Sequence, residues 1–250
     1  MSVRGTIRFR MLAVLACCFF GGALQTLRAA SPLKGRHGRS ACETIMVFRG
    51  SQYGGWWYDS REVKLSTIVY SFGLGEDTSW DEALLSQGAT VYGYDPTPRA
   101  ESYVKQRKEL WESKGIFYFS PIGLSIEKGT VSFTKPKSPT HVSMRQGAHP
   151  NMGETVQVAV DSLKNLLQIN GHNHIDILKI DIETSEYAVL ESFIEQGYFP
   201  FSQLLVEFHD NTGSGEYRAR FDAILQGLFL SGFAVMKNSA LGEMSFKRFV

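Results

Sequence analysis

The sequence predicts an α/β fold, a doubly wound and mostly parallel sheet with a C-terminal antiparallel hairpin. Three observations carry that expectation. From residue 67 onward, short β-branched and aromatic runs alternate with helically spaced segments closed by glycine. Several of those runs finish in residues of chemical use: Gly73, Asp95, Asp181 with Glu183, and Glu207 with His209. The last two runs, residues 233–237 and 244–249, follow one another without a helix between them.

The elements read in order as follows. Residues 52–59 (QYGGWWYD) are aromatic and glycine-punctuated, which argues against a helix and suggests a hydrophobic flap packed on a sheet edge, with a lid over a ligand as the sharper reading. Residues 67–72 (TIVYSF) form a strand broken by Gly73-Leu74-Gly75. Residues 76–87 space Trp80, Ala83 and Leu84 as a helix stopped by Gly88. A strand over 90–94 ends at Asp95-Pro96, a charged helix over 100–113 closes at Gly115, and a strand follows over 116–119. Residues 130–134 add a strand, and the proline- and glycine-bearing stretch 135–153, which holds His141 and Arg145, reads as a long loop. A strand over 156–160 leads to a helix over 162–168 with Asp161 as its cap. Then come the strand 175–182, a helix over 186–196 with Glu186 in its first turn, a strand over 204–208 and a helix over 218–230. There is no internal repeat.

Composition excludes some classes. The 250 residues are 43% hydrophobic and 20% charged, enough apolar material for one sizeable core. Net charge is +1, from 26 basic and 25 acidic residues, so no nucleic-acid partner is predicted. The cysteines are Cys17, Cys18 and Cys42, with no zinc-type spacing, and no metal site is predicted. Arg4, Arg8 and Arg10 precede an apolar run from Met11 to Leu24, the pattern of a secretory signal. Residues 1–30 are therefore read as a signal peptide or a signal-anchor, residues 31–50 as a linker and 51–250 as the folded domain. Cleavage is left open. The expected place is the secretory pathway, secreted or membrane-attached through the apolar segment, with the domain on the non-cytoplasmic side.

The chemistry gathers at the strand ends, where open α/β sheets bind ligands. Gly73 and Gly75 let a cofactor approach the backbone, and Asp95, twenty residues after Gly75, suits the two hydroxyls of a ribose. A dinucleotide would set its pyrophosphate at the helix that follows. Here that turn carries Glu76 and Asp77, which would repel a pyrophosphate and attract an ammonium group. The balance favours S-adenosylmethionine over NAD. Lys179 is expected to pack its stem and find a partner for its head. His172 and His174 receive no role.

These pieces, IVYSFGLGED (68–77), VYGYDPTP (91–98), PIGLSIEKGTVSF (121–133), VDSL (160–163), ILKIDIETSEYAVL (177–190) and LLVEFHD (204–210), resemble the FkbM family of S-adenosylmethionine-dependent methyltransferases. The resemblance implies a Rossmann-like class I methyltransferase fold. It implies Gly73, Gly75 and Glu76 at the methionine end, Asp95 on the ribose, and Ser120, Ile122 and Gly123 near the adenine. Asp181, Glu183 and His209 would face the reacting centre as catalytic residues. The acceptor it implies is a hydroxyl of a glycan, lipid or small metabolite. The family's motif D-x-E-G-x-E has Thr184 here in place of its glycine. Two other readings stand beside it. A secretory-pathway glycosyltransferase would use Asp181-Ile182-Glu183 as a loose metal site, and a catalytically silent binding module would keep the fold alone.

Overall fold

The structure is a computed structural model that describes residues 46–134, 145–146, 153–210, 215–239 and 242–249. The N-terminal signal segment, all three cysteines, His141 and most of the loop 135–153 lie outside the described residues, and Arg145 enters only through backbone pairing. Among the described residues no helix is long and apolar enough to cross a membrane.

The central sheet is built from β3 (Ile68–Phe72), β4 (Thr90–Tyr94), β5 (Ile116–Ser120), β10 (Ile175–Ile180), β11 (Phe201–Glu207), β12 (Phe233–Asn238) and β13 (Glu243–Arg248). Its order is β12-β13-β11-β10-β3-β4-β5. The five strands from β11 to β5 are parallel, and β13 runs antiparallel to both β11 and β12. The chain steps outward from β3 to β4 and β5, then returns to place β10 on the other side of β3. That reversal makes the carboxyl ends of β3 and β10 the switch point at which such sheets bind ligands.

Period-two alternation in buried strands explains the two layers of helices. Tyr70, Leu178 and Leu204 face one side, where α4 (Leu163–Ile169), α5 (Glu186–Gln196) and α6 (Gly215–Leu230) cover them with Leu166, Tyr187, Leu190, Phe193 and Leu228. Their neighbours Val69, Ile177 and Leu205 face the other side, beneath Trp80 and Leu84 of α1 (Ser79–Leu85), Val104 of α2 (Pro98–Gln106) and Trp111 of α3 (Lys108–Lys114). The doubly wound sheet and its terminal hairpin are as the sequence predicts.

Several local expectations are corrected. The stretch assigned to a linker contributes β1 (Met46–Arg49), antiparallel to β2 (Trp56–Asp59). This hairpin lies across the sheet rather than at its edge: Asp59 N–H donates to Gln203 Oε1 (2.9 Å) and Ser245 Oγ donates to the Trp57 carbonyl (2.6 Å). The strand predicted over 156–160 is not in the main sheet. It is β9 (Thr155–Ser162), which with β6 (Gly123–Ser125), β7 (Gly129–Thr134) and β8 (Arg145–Gln146) forms a second sheet of order β6-β9-β7-β8. Its pattern shows why, since Val158 and Val160 are buried while Thr155, Gln157 and Ala159 are exposed, so only one face is covered.

The helix predicted from 76 begins only at Ser79, because Asp77 Oδ1 accepts from Ser79 N–H (2.9 Å) and holds residues 76–78 in a turn. The charged helix 100–113 is two helices, broken at Arg107, whose φ of −105° leaves the helical range. The cap of α4 is Ser162, whose Oγ accepts from Asn165 N–H (3.3 Å), while Asp161 accepts from Ser162 N–H (2.8 Å) and Asn165 Nδ2 (2.7 Å).

Candidate active site

Gly73 sits at the centre of the switch point. Its φ is +78°, and a Cβ there would lie 1.7 Å from the Asp181 carbonyl oxygen, so only glycine fits. Its N–H donates to the Tyr94 carbonyl (2.9 Å) and Asp181 N–H donates to the Phe72 carbonyl (3.1 Å). The ends of β4, β3 and β10 are thereby fixed side by side. Buried Lys179 secures the turn from below: its Nζ donates to the Gly73 carbonyl (2.6 Å) and lies 5.3 Å from the Trp56 ring centroid.

On the β4 side, Gly75 has φ +56° and no atom within 4 Å of the position a Cβ would take, so its outer face borders open space. Its N–H donates to Asp95 Oδ2 (2.9 Å), while Thr97 donates to Asp95 Oδ1 from its N–H (2.8 Å) and its hydroxyl (2.6 Å). Asp95 is 4% exposed. Burial raises its pKa, with the Thr97 and Gly75 hydrogen bonds opposing. The Ser120 carbonyl accepts from both Asp95 N–H (3.3 Å) and Ile122 N–H (2.8 Å). Gly123 lets β6 approach the Pro96 ring, because a Cβ there would be 3.1 Å from Pro96 Cγ. Ser120, Ile122 and Gly123 therefore border Asp95.

On the β10 side the acidic residues cluster around one imidazole. His209 Nε2 lies 3.8 Å from Asp181 Oδ1, 3.8 Å from Glu183 Oε2 and 3.9 Å from Glu207 Oε1. Glu186, fully buried in the first turn of α5, turns its Oε1 to His209, accepting from the backbone N–H (2.9 Å) and facing Nδ1 (3.2 Å). Tyr187 hydroxyl donates to the His209 carbonyl (2.7 Å). Burial opposes charge on His209, but the Glu186 hydrogen bond and the charges of Glu186, Glu183 and Asp181 outweigh it and raise its pKa to about 9. Glu207 is pushed up to about 7, first by burial and then by the Asp181 charge. Burial chiefly, with Asp181 adding, also raises the pKa of Glu243 opposite it on β13.

The structure thus brings Gly73, Gly75, Asp95, Ser120, Ile122, Gly123, Asp181, Glu183 and His209 into one row of strand ends. Glu76, in the same turn, is exposed and pairs with Arg99 (2.6 Å). Asp77, not assigned a contact by the sequence, ties the flap to the turn: its oxygens accept from Ser51 Oγ and Ser79 N–H. Tyr53 was also missed. Its side chain is mostly exposed at the tip between β1 and β2, and partial desolvation there, followed by the charges of Asp181, Glu207 and Glu183, raises its pKa. The flap therefore packs its base on the sheet and brings Tyr53 within range of the charges of the acidic cluster. The Glu186–His209 contact, like that of Asp77 with Ser51, joins residues far apart in sequence and left no local signal.

A row of this kind, with a glycine turn, a buried carboxylate beyond it and an acidic cluster next door, has a counterpart among known sequences. The family profile described as methyltransferase FkbM domain matches residues 51–234. The chain belongs to the FkbM methyltransferase family. Methyltransferase-like protein 24 of Rattus norvegicus is 30% identical over 144 residues, covering 56% of this chain and 32% of that one. Its counterpart from Homo sapiens is 28% identical over 143 residues, with the same coverage of 56% and 32%. The chain thus spans about a third of the length of these curated relatives. Among solved structures, the FkbM methyltransferase of Methylobacillus flagellatus KT matches with a TM-score of 0.45 and 11% identity, over 74% of this chain and 44% of that one. The magnesium protoporphyrin IX methyltransferase of Synechocystis PCC 6803 matches with a TM-score of 0.42 and 12% identity, over 76% and 73%.

Proposed function

We propose that this FkbM methyltransferase uses S-adenosylmethionine to methylate a hydroxyl oxygen of a glycan, lipid or small metabolite. The observation that carries the reading is the contiguity of open-faced Gly75, buried Asp95 and the acidic cluster across one switch point. The residues fit the donor. The space beside Gly75 admits a ligand against the backbone, and Asp95 keeps an acceptor position on Oδ2 for a ribose hydroxyl beyond the three that Gly75 and Thr97 engage. The carboxylates of Asp181, Glu183 and Glu207 favour a cationic ligand and disfavour a pyrophosphate.

When bound, the donor supplies a methyl group made electrophilic by its sulfonium. The chain's own work is then placement and proton removal. Asp181, Glu183 and Glu207 stand where an acceptor hydroxyl can give up its proton, and a pKa near 7 matches Glu207 to that task at neutral pH. His209, held charged by its carboxylate neighbours, offsets negative charge developing on the acceptor oxygen. Tyr53 at the flap tip would shield the reacting atoms from water. The domain that does this spans residues 51–250 with β1 packed ahead of it. The basic-then-apolar pattern of residues 4–24 supports placing it in the secretory pathway.

The test is calorimetric titration of the full chain with S-adenosylmethionine, then with a UDP-sugar plus manganese. Saturable binding of the first, weakened at least about tenfold in Asp95→Ala by loss of the ribose hydrogen bonds, is the expected result. Binding of the nucleotide sugar alone would overturn the reading in favour of glycosyl transfer, and silence toward both would leave a binding module.

A further inference from the structure

We propose that Asp181, Glu207 and His209 hold a divalent metal ion, which binds and activates the acceptor hydroxyl. Each offers a ligand atom, and these atoms lie within 4.8 Å of one another at the ends of two adjacent strands.

The contacts within this cluster are too long for hydrogen bonds and leave room between the ligand atoms that a shared cation would draw closed. His209 Nε2 stands 3.8 Å from Asp181 Oδ1 and 3.9 Å from Glu207 Oε1. A direct N–H···O bond needs roughly 2.7–3.2 Å. Ligand atoms about 2.1 Å from one ion in octahedral or tetrahedral geometry stand roughly 3.0–3.4 Å apart, so these side chains would close on an ion by an inward shift of less than about 1 Å.

The second observation lies behind the histidine. Metal-binding imidazoles present one nitrogen to the ion and give the other ring N–H to a carboxylate. Glu186 is that carboxylate: it is fully buried, its Oε1 faces His209 Nδ1 at 3.2 Å and accepts from His209 N–H at 2.9 Å. Its Oε2 is sealed from solvent with no hydrogen-bond partner among the described residues. A fully buried carboxylate half unpaired is costly to keep for packing alone, and its position against the imidazole fixes the ring with Nε2 toward Asp181 and Glu207.

One nitrogen and two carboxylates form a ligand set for a cation of the Mn²⁺ kind, with coordination positions left for an oxygen of the acceptor. The acceptor's part in this rests on the methyl-transfer reading; the metal site does not. With the ion bound, His209 gives up its Nε2 proton and, with Glu207, serves as a ligand in place of the base and positive charge these two supply in the metal-free site. The acceptor O–H breaks, its proton passing to the Glu183 carboxylate beside the site. The oxygen's electron pair forms the bond to the methyl carbon, and the C–S electron pair stays on sulfur, turning the sulfonium into a thioether. Loss of the positive donor charge is matched by the proton taken up on Glu183.

The experiment is titration of the full chain, stripped with EDTA and dialysed, with MnCl₂ while free Mn²⁺ is followed by electron paramagnetic resonance. One saturable site per chain is expected, weakened more than about tenfold in His209→Ala and in Glu207→Gln and about tenfold in Glu186→Gln, with folding of each variant checked by circular dichroism. Asp95→Ala should bind Mn²⁺ as the unaltered chain does. No saturable Mn²⁺ binding by the unaltered chain, or binding indifferent to the isosteric Glu207→Gln, would overturn the proposal. Binding of S-adenosylmethionine measured in EDTA separates the two claims, because a chain that takes the donor and not the metal keeps the proposed function and loses this site.

Discussion

The two ends of β11 handle buried acidity in opposite ways. Toward its amino end, Gln203 pairs across the sheet with Lys247, and the Asp59 carboxylate above them is wholly buried and fully engaged. Asp59 Oδ1 accepts from Arg61 Nε (3.0 Å), and Oδ2 accepts from Arg61 Nη2 (2.8 Å) and Lys247 Nζ (2.9 Å). Burial would raise the pKa of Asp59, but those cationic donors outweigh it and hold it below the usual range. At the carboxyl end of the same strand Glu207 stands directly opposite Glu243, with Asp181 and Glu183 nearby, and the cations beside them, His209 and Lys179, stand 3.8–3.9 Å from their oxygens. Like charges opposite one another on a ladder destabilise it. A protein that compensates one buried carboxylate so fully, four residues along the strand from a Glu207 and a Glu243 whose pKa values it leaves raised, keeps the second cluster for something that arrives from outside.

That contrast can be broken at its stable end first. Asp59→Ala removes the acceptor shared by Lys247 and Arg61 and is expected to cost about 3 kcal/mol or more of stability in urea unfolding, with S-adenosylmethionine affinity of the folded protein unchanged. At the other end the expectation reverses. Glu207→Gln should lower methyl transfer about a hundredfold or more, while stability stays level or rises by about 0.5 kcal/mol as the Glu207–Glu243 repulsion is relieved. A Glu207→Gln protein that unfolds as readily as Asp59→Ala would erase the distinction.

Between the two in size lies Thr184. It takes φ +77° beside Glu183 at φ +54°, a left-handed conformation that β-branched residues rarely adopt. Thr184→Gly should therefore raise stability by about 1 kcal/mol, measured as an increase in the denaturation midpoint.

The smallest effect is one of slope. With chelator present and no donor, Glu207 carries a folded-state pKa raised from 4.5 to about 7. A carboxyl raised in this way contributes stability that is complete below about pH 4.5 and is lost as pH rises through about 7. Asp59, lowered, contributes stability present above its unfolded value of 3.8 and lost as pH falls below it. The melting temperature of the unaltered chain should fall from about pH 5 to 7 more steeply than that of Glu207→Gln, and both should fall together in strong acid.

Most of the central sheet was legible because its signals are local. β3, β4, β10 and the helix α5 are runs whose apolar spacing and glycine stops need no partner to be read, and the Gly75-to-Asp95 interval follows from one β-α-β unit. What escaped depends on contacts distant in sequence. Residues 156–160 look like any strand, and nothing in them says that β9 pairs with β6 and β7 instead of the main sheet. Asp77 shortens α1 through Ser79 and reaches Ser51, 26 residues away. Glu186 read as no more than a first-turn helix residue, whereas its carboxylate serves His209, 23 positions on. Thr184 showed in the sequence only as a replacement for the family's glycine, whereas the structure puts it ahead of α5 with a positive φ. In the candidate site, sequence placed residues at strand ends; which ones share a hydrogen bond was set by the packing of β3 between β4 and β10.

The most direct measurement is photolabelling of the full chain with tritiated-methyl S-adenosylmethionine, followed by peptide mapping. Label confined to peptides from 68–77, 91–98, 117–125 and 177–190, and chased off by unlabelled donor, is the predicted result. Label that resists the chase, or that falls on the α6 or β7–β9 peptides alone, would contradict the claim that these strand ends form the donor site.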